Sequence, residues 1–255
     1  MASFKPVIVV AGARVGGTGA ATALAFARKG YSVALIARGA QDLSDAVNGL
    51  VTTGYDAKAF AVPSYSAASI ASVFQSIQDQ FPSPQYSIRA ALYNASHRVR
   101  KPFLETSVDD LRAAQETVVE GPFAFAQHVI RIFKNNSIDR ITGKRGILIF
   151  TGSSVSVSTS SSTSVASATK WGMRALSQSL AKEFGKDNIH VTHAVIDGLI
   201  DTPLMRSNFT DTNMAQNEDV RLNAEDVANA YVYLLEQPRS SWTWEFDLRP
   251  AHQEW

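Results

Sequence analysis

Lys170 and the hydroxyls that precede it are the part of this 255-residue chain best equipped for chemistry. The stretch SVASATKWGMRALSQSLAKEF, Ser164–Phe184, has a helical pattern. Lys170 falls on its apolar side, because its neighbours one turn away are Ala166 and Met173. A lysine so placed is expected to donate hydrogen bonds to a ligand's hydroxyls rather than to sit as a solvated charge. Upstream, ILIFTGSS puts Ser153 and Ser154 at the carboxyl end of an apolar run, where a hydroxyl could relay a proton from water. His97 follows YNAS, Tyr93–Ser96, and is a candidate acid because imidazole titrates near neutral pH. Asp197 and Asp201 are further acids, whereas Tyr93 is expected to point into the sheet. His128, His190, His193 and His252 have neither metal-ligand nor triad spacing, and His190 and His193, flanking a strand, are expected to be structural. The chain lacks cysteine, so thiolate chemistry and Cys-ligated metals are excluded and no metal site is expected. A serine hydrolase is disfavoured because no Gly-x-Ser-x-Gly elbow is present.

A second constellation lies near the start. VVAGARVGGTGAATALAF follows the β-rich run Val7–Ala11 and opens an Ala-rich helix. Gly12 permits a tight turn, and Gly17, Thr18 and Gly19 bring backbone to the helix N-terminus, where a pyrophosphate is favoured. The next buried run ends in Ala37 and Arg38. A carboxylate there would hold the ribose hydroxyls of NAD, whereas a cation favours the 2′-phosphate of NADP. Arg14 is placed to bind the same phosphate.

These residues need a scaffold, and the pattern supplies one. Strands are predicted at Val7–Ala11, Ser32–Ala37, Ala59–Val62, Ile88–Tyr93, Gly146–Phe150, Val191–Ile196 and Trp244–Leu248, continuous apolar runs of the kind buried on both faces. Helices are predicted from Gly19 to a stop at Gly30, and over Gln41–Thr52, Ala68–Gln80, Val108–Lys134, Val165–Gly185 and Ala224–Gln237, the last capped by Asn223. The alternation implies an α/β parallel sheet, doubly wound, in a single domain spanning 1–255. The serine-rich Ser153–Ser164 reads as an ordered loop at a strand's carboxyl end, where such sheets bind ligands. Residues 201–221, polar and weakly patterned, read as a substrate-side lid.

Taken together these motifs resemble the short-chain dehydrogenase/reductase superfamily over nearly the whole chain. GTGAATALAFARKG is similar to its first helix, YNAS to the segment after its fourth strand, ILIFTGSS to the strand ending at its catalytic serine, and VIDGLIDTP to the segment after its sixth strand. The resemblance implies a Rossmann-type seven-stranded sheet of order 3-2-1-4-5-6-7. It also implies a homodimer or homotetramer packed through the helices of Val108–Lys134 and Val165–Gly185, with Ala166, Met173, Leu176 and Leu180 compatible with an interface. It assigns Ser153 and Lys170 to catalysis, Asn94 and Lys170 to the cofactor, and Ile200 and Thr202 to the nicotinamide carboxamide. The pattern departs at two places. Ala166 stands where the family has the proton-transferring tyrosine, and Val118 where it has an asparagine that holds a relaying water. Both departures strike proton transfer, which is worth ~10²–10⁴-fold in rate.

The expected function is therefore an NADPH-dependent reductase of a small carbonyl, imine or activated C=C, with His97 the first candidate to replace the tyrosine. A non-redox cyclase or isomerase on this scaffold, or a silent NADP-binding protein, are the alternatives. A net charge of +1 argues against nucleic acid or an acidic membrane as partner. The absence of cysteine and of any run of spanning length is in keeping with a cytoplasmic protein.

Overall fold

The computed structural model describes residues 4–208 and 217–253. Its strands are β1 Lys5–Ala11, β2 Ser32–Ala37, β3 Ala57–Ala61, β4 Tyr86–Tyr93, β5 Gly146–Thr151, β6 Ile189–Ile196, β7 Leu199–Ile200, β8 Arg221–Leu222 and β9 Glu245–Leu248. Its helices are α1 Thr18–Arg28, α2 Ala40–Thr52, α3 Ala67–Gln80, α4 Val108–Gln115, α5 Gly121–Asn135, α6 Ser164–Phe184, α7 Pro203–Asn208 and α8 Ala224–Glu236. Seven strands form one parallel sheet in the order β3-β2-β1-β4-β5-β6-β9, the doubly wound arrangement the sequence implies. β7 and β8 make a separate two-stranded parallel pairing, Ile200 beside Leu222, which the sequence pattern did not reveal.

The apolar runs of β2, β5 and β6 are buried at every position because helices cover both faces of the sheet. One face packs Phe74, Phe125, Phe133 and Phe150 beneath α3, α5 and α6. The other packs Phe26, Leu35, Ile149 and Tyr231 beneath α1, α2 and α8.

The helix predicted over Val108–Lys134 is two helices. α4 stops at Gln115, a π-helical turn occupies Glu116–Glu120, and α5 begins with Pro122 in its first turn. Pro122 has no N–H to donate back along a continuous helix, and its ring would meet the preceding turn. In the π-turn the Gly121 N–H bonds to the Glu116 carbonyl, which leaves the Thr117 carbonyl to accept a 2.6 Å hydrogen bond from the Tyr93 hydroxyl.

On α6, Ala166, Leu176 and Leu180 of the expected interface face are half-buried. Met173 is fully buried and Leu180 lies against the core of its own chain. The side chains left exposed nearby are Val119, Phe123 and Trp171. Among the described residues no helix is long and apolar enough to cross a membrane.

Candidate active site

Most candidates follow the carboxyl end of a strand of the seven-stranded sheet, and Lys170 on α6 bonds to the end of β5. Gly12 leaves β1 with φ +92°, and a Cβ there would collide with the backbone nitrogen of Ala95 after β4. The Asn94 side chain closes this approach by donating its amide to the Gly12 carbonyl at 2.8 Å. A Cβ on Gly19 would fall on the same carbonyl oxygen. α1 starts at Thr18 with Gly17 as an N-cap that offers no side-chain bond, so the first N–H groups of the helix have no side-chain cap. The Thr18 hydroxyl is buried without a protein partner. Bare amides, an orphaned hydroxyl and glycines packed to backbone distance make a cradle that fits a dinucleotide's phosphates.

Arg38 is exposed just past β2, its guanidinium 5.5 Å from the Tyr65 ring centroid. α2 begins immediately afterwards with Gly39 at its N-cap, again without a side-chain cap. Arg14 reaches the same corner but is paired with Asp42 at 3.2 Å, so binding a phosphate there requires it to exchange partners. Asp42 is the feature of this corner that sequence reasoning overlooked.

Lys170 is the centre of the second half. It is 7 % exposed, and its ammonium donates to the Thr151 carbonyl at 2.8 Å, at the very end of β5 and two residues before Ser153. Burial lowers its pKa from the usual 10.5 to about 8. Ala166, one turn earlier on α6, is half-buried and offers no proton. Val118 is fully buried in the π-turn.

His97 is half-buried on the loop after β4. That loop is drawn to the start of α6, because Val99 packs with Val165, the residue before Ala166. The Lys101 N–H also donates to the Ser162 carbonyl at 3.1 Å, tying the loop to the ordered serine-rich segment. Tyr93 is out of reach, with 0 % exposure and its proton committed to Thr117; burial, reinforced by Tyr65, raises its pKa well above the ordinary range.

After β7, Asp201 forms a two-point ion pair with Arg206 and a second pair with Arg221. Asp197 pairs with Arg249 at 3.3 Å. These carboxylates anchor the segment and are not free acids. Thr202 caps α7, accepting from the Met205 N–H at 3.1 Å, which leaves its hydroxyl proton available; Ile200 precedes it in the β7–β8 pairing. The ring of Pro203 rests on Gly16 of the glycine turn, 2.6 Å from where a Cβ would stand. The expected lid at 201–221 includes residues 209–216, which lie outside the described residues.

His193, expected to be merely structural, lies on β6 beside this site, its Nδ1 3.0 Å from Glu245 on β9. Only the strand pairing brings the two together, and nothing local in the sequence signals it. Among the described residues no cluster of His, Asp and Glu could hold a metal.

Comparison with known proteins agrees with the fold. Residues 12–244 match the family described as enoyl-(acyl carrier protein) reductase. The 3-oxoacyl-[acyl-carrier-protein] reductase of Bos taurus is 28% identical over 224 residues, 87% of this chain and 88% of that protein. An uncharacterized oxidoreductase of Staphylococcus epidermidis is 25% identical over 251 residues, 98% of this chain and 100% of that protein. The structure of a short-chain dehydrogenase from Rhodopseudomonas palustris is similar with a TM-score of 0.77 and 25% identity, covering 97% of this chain and 100% of that one. An alcohol dehydrogenase from Thermococcus sibiricus, solved with 5-hydroxy-NADP, shares the fold with a TM-score of 0.79 and 22% identity over 98% of each chain.

Proposed function

The chain belongs to the short-chain dehydrogenase/reductase superfamily, and on that premise we propose that it is an NADPH-dependent reductase of a small organic substrate whose acceptor is a carbonyl, an imine or an activated C=C. The observation that carries this reading is the pairing of a nucleotide cradle with a buried lysine at the same sheet edge: Gly12 and Gly19 packed to backbone distance, and Lys170 held on the Thr151 carbonyl. A buried lysine with a lowered pKa beside a nucleotide cradle is the kind of group that functional sites hold.

NADPH bound in the cradle supplies the hydride. Gly17, Thr18 and Gly19 hold the pyrophosphate with the amides at the start of α1, and Asn94 keeps the turn closed from the β4 side. Arg38 and the uncapped start of α2 hold the 2′-phosphate, with Arg14 released from Asp42. Lys170 has donors left after its bond to Thr151, and they serve the nicotinamide ribose. Ile200 and Thr202 orient the carboxamide. Ser153 orients the acceptor atom. With Ala166 offering no phenol, the proton comes from His97 or from water ordered by Ser153. This favours acceptors that need little acid assistance, such as a conjugated C=C or an already protonated imine. Residues 201–221 act as the lid. The exposed Val119, Phe123 and Trp171 supply an apolar surface for a homodimer or homotetramer.

The test is a fluorescence titration with NADPH and NADH, followed by turnover on ketones, imines and enones. The proposal expects NADPH to bind at least about tenfold tighter than NADH, with stoichiometric oxidation on one acceptor class. Turnover of a substrate without oxidation of NADPH would overturn it in favour of a non-redox enzyme. Tight NADPH binding with no chemistry on any class would leave a silent nucleotide-binding protein.

A further inference from the structure

Behind Lys170 lies a chain of charged groups that the proposed reaction does not use. Arg174, one turn further along α6, makes a two-point ion pair with Glu245 at 2.6 and 2.7 Å. Glu245 in turn lies 3.0 Å from His193 Nδ1. The His193 ring is 0 % exposed, and its other nitrogen, Nε2, is buried with no protein partner. The Nε2–Cε1 edge of the ring lies against Gly152, the residue between Thr151 and Ser153; a Cβ on Gly152 would overlap it. The charged groups that reach His193 are Glu245 from β9 and Lys170 and Arg174 from α6; β5 contributes none.

Three constraints fix the state of this imidazole. The Glu245 carboxylate is an acceptor, so Nδ1 carries the proton. The ring is then neutral, and Nε2 is a lone-pair acceptor. Burial above all, with the nearby Lys170 and Arg174 charges, outweighs the pull of Glu245 toward a second proton. An acceptor buried without a donor costs about 1–3 kcal/mol, and Lys170, whose charge reaches the ring, is bonded through one of its donors to Thr151, the residue before Gly152.

We propose that a buried water joins Lys170 to His193, accepting from the ammonium and donating to Nε2, so that the Arg174–Glu245–His193 chain holds Lys170 charged and aimed at its ligand. His193 is in this sense a positioning residue. The proposal rests on the reading of Lys170 as a ligand-binding group, but its test does not need the ligand.

The experiment follows the Lys170 side chain by NMR through its ¹³Cε shift in the cofactor-free protein. Removing the acceptor disfavours the ammonium, so His193→Phe is expected to lower the Lys170 titration midpoint by about one pH unit, a tenfold change in proton affinity. His193→Gln, which restores an acceptor oxygen, is expected to return it most of the way. A purely structural role would leave the midpoint unmoved in both variants, and that result overturns the proposal. Should His193→Phe not fold, the ¹⁵N resonance of His193 Nε2 in Lys170→Met decides: a move toward the value of a lone pair without a donor supports the link, and an unchanged resonance overturns it. If the midpoint moves but NADPH does not bind, the proposed function fails while this inference stands.

Discussion

Lys170 donates to the Thr151 carbonyl at 2.8 Å, which clamps the middle of α6 to the last residue of β5. The bond turns a long flexible side chain into a fixed donor at the ligand edge of the sheet. Its burial has a thermodynamic signature. The unfolded chain keeps the Lys170 proton up to about 10.5, the folded chain only to about 8. The cost is therefore full below pH 8 and is relieved as the pH rises toward 10.5. That shift corresponds to roughly 3 kcal/mol, less about 1 kcal/mol for the hydrogen bond to Thr151. Lys170→Met is expected to be more stable than wild type at pH 7 by on the order of 1–2 kcal/mol, to lose that advantage near pH 10, and to bind NADPH poorly. Urea melts at the two pH values check it; a less stable variant at pH 7 would refute it.

Gly19→Ala places a methyl group on the Gly12 carbonyl oxygen. The turn must open to admit it, and the cradle goes with the turn. Nucleotide affinity is expected to fall at least about a hundredfold, with a stability loss of about 1–3 kcal/mol. Gly30→Ala serves as the comparison: a Cβ there meets nothing, although its φ of +88° still imposes backbone strain. It should lose stability and keep NADPH affinity. Calorimetric titration separates the two variants.

Arg38→Asp replaces the cation after β2 with the acceptor that ribose hydroxyls prefer. NADPH binding is expected to weaken by at least about tenfold while NADH binding is unchanged or improves. Equal losses for both cofactors would remove Arg38 from the 2′-phosphate site.

Ala166→Tyr offers a phenol one turn before Lys170. Reduction of simple ketones is expected to rise by about 10²-fold, most at pH values where Lys170 is still charged. A well-folded variant with no gain would show that residue 166 does not face the reacting atoms.

Much of this was legible before the structure because it is local. β2 was predicted to the residue, since Ser32–Ala37 is a continuous apolar run bounded by Tyr31 and Arg38. Gly12, Thr18 and Gly19 are read from their position between a strand and a helix. The break at Glu116–Glu120 was missed because the apolar period continues through it, even though Pro122 marks the spot. Asp42, which occupies Arg14, and Glu245, which orients His193, were invisible for another reason. Each acts on a partner 28 or 52 positions away, and only folding makes them neighbours.

Tyr93 and Asn94 are consecutive at the end of β4, yet they fasten opposite things. The phenol is fixed to the carbonyl that the π-turn sets free at Thr117, and the amide is fixed to the carbonyl of Gly12. The strand end thus acts as a rivet through two plates: the glycine turn on one side, and the α4–α5 pair with its exposed Val119 and Phe123 on the other. A shift of either plate loads the same two-residue joint, so the nucleotide turn and the outer helical surface are mechanically one part.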